Sequence, residues 1–230
     1  MMGAMGETGQ TPRGTSELEK PIGRRTFIGM VIAGMLALFL GKEIFPSLRG
    51  GASGSDGTFR INSVAPGPDF DPATWSLTVD GLFRRPLTLG WGDFLELPQV
   101  EFTRDFYCVE GWGVTDVRWT GVSVGELMAG ADIDPRATHL VFHSGDNVYT
   151  DSLTIEEAQR PDSMLARQAD QEPLPPDNGQ PLRLVLPGSY GYKDVKWVVR
   201  VEAIQADDPS PEGYHGFWEA RGYPADASIR

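Results

Sequence analysis

Short stretches in which apolar and polar residues alternate recur along the chain from residue 75 onward, separated by glycine, proline and acidic residues. Alternation is typical of a strand with one buried face, because successive side chains of a strand point to opposite sides of the sheet. The pattern predicts strands over the following ranges: 75–82, 86–89, 100–109, 138–143, 149–153, 182–186 and 195–204.

Three segments between these strands predict short helices, over 90–97, over 122–129 and from residue 154 onward. Ser123 and Thr154 each stand at the start of a helix with a glutamate three residues later, which is the spacing of a capping box. The elements do not alternate regularly as in a doubly wound sheet, and 28 Gly and 18 Pro indicate many turns. We therefore predict an α+β fold that is mixed and β-rich, with a C-terminal tail that wraps around it.

The first 57 residues differ in composition from the rest of the chain. Residues 1–23 are polar and aperiodic, which predicts disorder, and 46–57 form a Gly/Ser linker ahead of one domain over 58–230. Within 24–45, two arginines precede Thr-Phe-Ile and an apolar run, which resembles a twin-arginine signal for the export of folded proteins. This run has about 13 to about 18 residues, whereas a membrane-spanning helix needs about 20. It is therefore either a cleaved signal or a membrane anchor through 26–45, and both predict a periplasmic or other extracytoplasmic location.

Charge excludes several classes of partner. Residues 1–50 carry a net charge of +2, and the remaining residues carry −14. A chain this acidic is not suited to bind nucleic acid, because neutralising phosphates needs a basic face. The same charge disfavours contact of the domain with an anionic bilayer. Neither a Gly-x-Gly-x-x-Gly after a strand nor a P-loop occurs in the sequence, so a nucleotide cofactor is not indicated.

Cys108 is the only cysteine of the chain. It cannot form a disulfide within the chain, so it is a buried filler, a nucleophile or a metal ligand. A cysteine nucleophile is activated by a histidine, but His139, His143 and His215 stand in no hydrolase-like signature. One cysteine and three scattered histidines also lack the close ligand pairs of a structural zinc site.

The segment 104–112 around Cys108 resembles the molybdenum-cofactor domain of the sulfite oxidase family, in which one cysteine thiolate ligates the metal. Further segments match that family in the same order: Trp119-Thr120-Gly121-Val122 as a turn into a helix, Phe142-His143-Ser144, 174–185 and 187–197. The resemblance covers about residues 58–224. It is strongest to the bacterial, haem-free, single-domain branch, which includes the catalytic subunit of the periplasmic methionine sulfoxide reductase.

The resemblance implies that the chain binds Mo-molybdopterin, with Cys108 as the metal ligand and catalytic residue. It assigns cofactor contacts to Asn62, Cys108, Ser144, Asn178, Arg183, Asp194, Val195 and Lys196. Arg183 suits the pterin phosphate, because a guanidinium binds phosphate through two parallel hydrogen bonds. Asp194 departs from the family pattern at its position. His143 and Tyr192 are further candidates, for hydrogen bonds to groups around the metal.

We therefore expect an exported molybdenum-cofactor oxidoreductase that moves an oxygen atom or two electrons on a small substrate, for which sulfur compounds are one candidate class. No Cys-x-x-Cys-His haem signature occurs in the sequence, so we expect a separate electron-transfer partner, a membrane haem or quinone-linked protein. Arg104 and Arg118 are near Cys108, and Arg104 could bind an anionic substrate or else be a solvated strand residue. The alternative is a non-catalytic exported β-rich binding module in which Cys108 is a core residue.

Overall fold

The computed structural model describes residues 59–206, Tyr214 and residues 216–229. Its strands form two sheets. The first sheet contains, in spatial order, β2 (Leu87–Gly90), β1 (Ser76–Gly81), β10 (Val198–Ile204), β5 (His139–Ser144) and β6 (Thr150–Thr154). The second contains β3 (Val100–Tyr107), β4 (Gly113–Ser123), β7 (Met164–Ala169) and β8 (Glu172–Pro173), with β9 (Arg183–Val185) also paired to β7. The pair β1 and β10 is parallel, and the other pairs of these strands are antiparallel.

Three short helices lie between the strands: α1 (Trp91–Glu96), α2 (Val124–Ala131) and α3 (Ile155–Ala158). Helix α2 buries Val124, Leu127, Met128 and Ala131, a spacing that places them on one face of the helix. Ser123 and Thr154 are the N-caps of α2 and α3, as the sequence predicts. The mixed, β-rich fold is confirmed.

The hydrophobic interior has two parts. A large cluster beneath the first sheet includes alternate residues of β1, Leu77 and Val79, together with the buried face of α2. A smaller cluster lies on the second sheet and includes Phe106, Trp112 and Trp119. Cys108 packs against the edge of this second cluster and is half-buried.

Strand β4 is the main difference from the sequence prediction. The stretch 119–122 is not a turn into a helix but lies within an eleven-residue strand. Gly121 is there because β4 passes close to β7, where an added Cβ would lie 2.0 Å from the carbonyl oxygen of Leu165. The glycine serves a close approach between two strands rather than a turn. Strand β7 is a second element that the pattern of alternation did not indicate.

Residues 216–229 lie along the rest of the domain, as expected for a wrapping tail. Backbone hydrogen bonds join Phe217 to Thr150, Tyr190 to Ala227 and Ile229 to Gly188, each at 2.9 Å from nitrogen to oxygen.

The predicted N-terminal segments 1–23, 24–45 and 46–57 lie outside the described residues, as does His215. Within 59–206, 214 and 216–229, no helix has the length and apolar character needed to cross a membrane.

Candidate functional site

Strand β3 delivers Cys108 to the mouth of a cavity of about 390 Å³. The strand ends at Tyr107, and a tight turn follows in which the Cys108 N–H donates to the Trp112 carbonyl at 2.8 Å and the Gly111 N–H donates back to Cys108 at 3.0 Å. Gly111 has φ +85, a conformation that glycine adopts without steric cost. The turn therefore holds the thiol at the end of a rigid hairpin.

Seven of the eight residues assigned from the resemblance line this one cavity: Asn62, Cys108, Ser144, Asn178, Arg183, Asp194 and Lys196. They come from widely separated parts of the chain, near the ends of β3, β5 and β9 and just before β10. Val195 is the exception, because its side chain is fully buried in the large core cluster. Its carbonyl accepts a backbone hydrogen bond from Leu184 at 2.8 Å.

The surroundings of Cys108 favour the protonated thiol. Burial raises its pKa, although the Asn62 amide lies 3.8 Å from the sulfur and favours the thiolate. Asn62 also donates to the Glu110 carboxylate at 3.0 Å, and this hydrogen bond lowers the pKa of Glu110. A metal ligand must be the thiolate, so a cation at this position would supply the stabilisation that the protein groups do not.

Arg183 is a buried cation with unused hydrogen-bond donors. Its side chain is buried and lies over the Phe106 ring, with 4.8 Å from the guanidinium carbon to the ring centroid. One guanidinium nitrogen donates to the Asn178 carbonyl at 3.4 Å, whereas Nε has no hydrogen-bond partner among the described residues. Burial lowers the pKa of Arg183. Such a group costs free energy unless an anion joins it.

Lys196 adds a second positive charge beside this guanidinium. Its ammonium group donates to the Asp177 carbonyl at 2.9 Å and to the Ser63 hydroxyl. Burial and then the nearby Arg183 lower the pKa of Lys196 to about 8. An ammonium group whose pKa is lowered by burial and by a neighbouring guanidinium forms, with that guanidinium, a site that a phosphate group would stabilise.

Asp194 contributes an acidic side chain to the same cavity. Its Oδ1 accepts from the Leu186 N–H at 2.9 Å, and burial raises its pKa to about 7 despite the nearby Arg183. The position that departs from the family therefore holds a buried carboxyl group that titrates near neutral pH.

Asp146 is a functional candidate that the sequence analysis missed. It lines the cavity two residues after Ser144. One carboxylate oxygen accepts from the N–H groups of Val148 and Tyr149, each at 2.9 Å, and the Asp146 N–H donates to the Ser144 hydroxyl at 3.3 Å. The other oxygen, Oδ2, is buried without a hydrogen-bond partner among the described residues. It is an open acceptor for N–H groups of a ligand.

The other residues that line the cavity include aromatic side chains and charged side chains of both signs. Trp112, Tyr149, Tyr192, Trp218 and Tyr223 contribute rings, and Arg60 places its guanidinium carbon 5.8 Å from the centre of the Trp112 ring. Trp218 and Tyr223 of the C-terminal tail are half-buried and line the cavity. Arg60, Trp218 and Tyr223 carried no signal in the sequence, because they occur where it has no periodic pattern.

Several other sequence candidates lie elsewhere. Arg104 pairs with Asp162 at 3.4 Å on the surface, and Arg118 pairs with Glu101 at 3.9 Å. Neither lines the cavity.

His143 also lies outside the cavity lining, and its Nε2 is 3.0 Å from the Glu202 carboxylate. Tyr192 does line the cavity and donates its hydroxyl to the Pro224 carbonyl at 2.7 Å. No cluster of three His, Cys, Asp or Glu suited to a metal occurs within 59–206, 214 and 216–229.

The residues present fit a molybdopterin group. A thiol lies at the mouth of the cavity, a buried guanidinium and an ammonium lie together, and a carboxylate oxygen is open to N–H donors. These are the donor types that a metal, a phosphate and a pterin ring edge require. The volume is within the range of pockets for small molecules, about 300–1,000 Å³.

Comparison with known proteins agrees with this geometry. The model of the oxidoreductase molybdopterin-binding domain matches residues 64–212. The oxidoreductase YuiH of Bacillus subtilis is 32% identical over 153 residues, which are 66% of this chain and 74% of YuiH. The catalytic subunit of the protein-methionine-sulfoxide reductase, MsrP, of Gluconobacter oxydans is 34% identical over 160 residues. MsrP of Campylobacter jejuni is 30% identical over 161 residues.

The alignment with the two MsrP proteins covers 61% and 63% of this chain but only 50% and 54% of theirs. Among solved structures, the sulfane dehydrogenase SoxCD of Paracoccus pantotrophus has a TM-score of 0.57 and 26% identity, over 64% of this chain and 42% of that one. The chain therefore belongs to the oxidoreductase molybdopterin-binding domain family and is a molybdopterin-dependent oxidoreductase.

Proposed function

We propose that this protein is an exported oxidoreductase that transfers an oxygen atom on a small sulfur-containing substrate at a molybdenum ion ligated by Cys108. The observation that carries the proposal is that the thiol of Cys108 and the buried, incompletely paired guanidinium of Arg183 line the same cavity. A binding module with Cys108 in its core is disfavoured, because this side chain is half-buried at a cavity rather than enclosed.

Different side chains bind different parts of the cofactor. Arg183 and Lys196 bind the phosphate, and Asn178 helps to place the Arg183 guanidinium through its carbonyl. The unpartnered Oδ2 of Asp146 accepts from N–H groups of the pterin. Ser144 offers a hydroxyl hydrogen, since its oxygen already accepts from the Asp146 N–H. Asn62 stays beside the sulfur, and Asp194 and Val195 shape the loop next to Lys196, because their backbone N–H groups already donate to Gly191 and Lys193.

When bound, the cofactor supplies a metal that can exchange an oxygen atom and two electrons with a substrate. The protein contributes the thiolate of Cys108, holds the pterin and limits access of water. Asp194, whose pKa is raised by burial to about 7, can hold or release a proton at neutral pH.

The charges of the cavity favour an uncharged substrate. With Arg183 and Lys196 engaged by phosphate, the charged residues that remain in the lining are Arg60, Glu110, Asp146 and Asp194, which leave no excess of positive charge. A small dianion would bind weakly there, because no excess positive charge attracts it. A sulfoxide, which carries no net charge, would contact polar groups and aromatic side chains in the same cavity. The two MsrP relatives act, by name, on protein methionine sulfoxide. We therefore favour sulfoxide reduction, in which the substrate takes up two electrons and two protons and its oxygen leaves as water.

The electrons come from a separate partner, a membrane haem or quinone-linked protein. This part of the proposal is supported by the description of the MsrP relatives as catalytic subunits. Export by the twin-arginine route, with or without retention of 24–45 as an anchor, is tested by changing Arg24 and Arg25 to Lys. Unimpaired export of that variant would contradict the proposed route.

The test of the cofactor is elemental analysis of protein purified from a host that makes molybdopterin. We expect about one molybdenum per chain, as one thiolate ligates one metal, and its loss in Cys108→Ser with the fold retained by circular dichroism. Well-folded wild-type protein without molybdenum would contradict the proposal and favour the binding module.

A further inference from the structure

Four aromatic rings form one wall of the cavity, and they belong to two parts of the chain. Tyr149 and Tyr192 belong to the body of the domain, whereas Trp218 and Tyr223 belong to the C-terminal segment 216–229. Ring contacts join the two parts, with centroid distances of 5.4 Å for Tyr192 and Tyr223 and 5.1 Å for Trp218 and Tyr223. The wall is therefore complete only when the C-terminal segment is docked.

A buried cluster of three charged side chains fastens that segment. The Lys193 ammonium donates to Asp151 Oδ1 at 2.7 Å and to the Glu219 carboxylate, and all three side chains are almost completely buried. The other Glu219 oxygen accepts from the Gly216 N–H at 2.8 Å. Because an unpaired buried charge is costly, the cluster fixes the position of the segment relative to β6 and to the loop 187–196.

The absence of a side chain at Gly216 allows this docking. A Cβ at this position would lie 2.6 Å from the Asp151 carboxylate carbon, so glycine allows the segment to approach the cluster closely. On the next residue, Phe217 stacks against Tyr149 with 5.4 Å between ring centroids. The segment thus contacts both the charged cluster and the cavity wall.

The segment contributes only rings to the cavity, and no charge. Of residues 216–229, Trp218 and Tyr223 line the cavity. Aromatic rings attract methyl groups and sulfur through dispersion and through the positive ring edge. A wall of this kind suits a thioether or sulfoxide with apolar substituents better than a small oxyanion.

We propose that the C-terminal segment determines substrate specificity: Trp218 and Tyr223 receive the apolar, sulfur-bearing part of the substrate, and Lys193 is a positioning residue that holds the segment. This inference rests on the proposed function, because it names the substrate class of that same site.

The test compares binding of a thioether, N-acetylmethionine methyl ester, to the purified wild type, Trp218→Ala and Tyr223→Ala, with the molybdenum content measured on the same samples. We expect each alanine variant to bind about ten-fold more weakly, the typical effect of losing a ring contact at a binding site. Trp218→Phe keeps a ring and should bind nearly as the wild type does. Ser228→Ala is the control, because Ser228 is exposed on the same segment and does not line the cavity.

With molybdenum present, the loaded enzyme gives a second measurement. Trp218→Ala should raise KM for N-acetylmethionine sulfoxide about ten-fold and change KM for dimethyl sulfoxide less, because the smaller molecule makes fewer apolar contacts. Equal binding by the wild type and both alanine variants would overturn the inference. If the wild type lacks molybdenum, the proposed function fails, and the binding comparison still decides this inference.

Lys193 is tested through the segment that it positions. Lys193→Met leaves two buried carboxylates without their cation, so trypsin should cut after the exposed Arg221 at least ten-fold faster, and thioether binding should weaken. A triple variant with Asp151→Asn and Glu219→Gln removes all three charges together and keeps the test valid if the single variant does not fold. Unchanged protection and binding in both variants would exclude the positioning role.

Discussion

Tyr107 and Gly191 are joined by a backbone hydrogen bond of 2.7 Å, in which the Gly191 N–H donates to the carbonyl of the residue just before Cys108. Through this bond the hairpin that carries the thiol is fixed to the loop that carries Asp194 and Lys196. The position of Cys108, the proposed metal ligand, relative to the side chains proposed to bind phosphate is thus set by main-chain atoms. Side-chain substitutions can disturb it only by moving the backbone.

Gly191→Ala should disturb this junction. An added Cβ would lie 2.2 Å from the Phe106 ring, which supports the Arg183 guanidinium. Overpacking of this kind costs about 1–3 kcal/mol, so we expect a lower free energy of unfolding in urea together with a lower molybdenum content.

Gly92→Ala in helix α1 is the matched control, because no atom lies within 4 Å of its added Cβ. It should stabilise the protein by about 0.4–1 kcal/mol and leave the molybdenum content unchanged. Equal stability and metal content in the two variants would contradict the role given to Gly191.

Arg183→Met should separate cofactor binding from folding. The variant removes a buried guanidinium that is incompletely paired, and replacing such a charge by an apolar side chain of similar volume is often neutral for stability. We expect an unfolding free energy within about 1.5 kcal/mol of the wild type and loss of most of the molybdenum.

Arg136→Met controls for loss of a positive charge, because Arg136 lies on the surface beside Asp134. Full molybdenum content in Arg183→Met would show that this arginine does not hold the cofactor.

The stability of the cofactor-free protein should depend on pH through Asp194. Burial raises the pKa of this carboxyl group to about 7 in the folded state, above its value of about 3.9 in an unfolded chain. Between these values the folded state binds more protons than the unfolded state, so the free energy of unfolding falls as pH rises from about 4 to about 7. Urea denaturation at several pH values in this range measures the slope.

Asp194→Asn should reduce that slope, because an amide does not titrate but can still accept from the Leu186 N–H. Part of the slope should remain, since burial also raises the pKa of Asp151. An identical slope in wild type and variant would indicate that Asp194 is ionised throughout the folded state.

The sequence predicts those parts of the site that lie in ordered motifs. Cys108, Arg183 and Lys196 stand in stretches whose residue order resembles the family, and the structure brings them to one cavity. Arg60 and Trp218 could not be found in this way, because they reach the cavity from segments without a periodic pattern. Their position depends on tertiary contacts between residues that are distant in the sequence.

The predictions of strands and turns succeed or fail for the same reason. Alternation identifies strands with one buried face, but β7 begins with three buried residues, Met164, Leu165 and Ala166, and so shows no alternation. The resemblance assigned residues 119–122 to a turn into a helix, whereas Gly121 allows two strands to approach closely. Such a contact involves a residue on another strand, which no local pattern can reveal.

The two predicted capping boxes provide a last test, because the structure makes them unequal. The Ser123 hydroxyl accepts from the Glu126 N–H at 3.1 Å, but the Glu126 carboxylate makes no return bond. At Thr154 the box is reciprocal: its hydroxyl accepts from the Glu157 N–H at 3.2 Å, and the Glu157 carboxylate accepts from the Thr154 N–H at 2.8 Å.

We therefore expect Thr154→Ala to lower the free energy of unfolding by about 1–2 kcal/mol and Ser123→Ala by about 0.5–1 kcal/mol. Thr154→Ala costs more because the Thr154 hydroxyl also donates to the Glu157 carboxylate at 2.9 Å. Glu157→Ala and Glu126→Ala test the returning bonds, because only the first removes a carboxylate that accepts in its box. Urea denaturation of the four variants measures both differences. Equal losses for Glu157→Ala and Glu126→Ala would mean that the returning bond adds nothing, since the N–H of a residue at a helix start can also be satisfied by water.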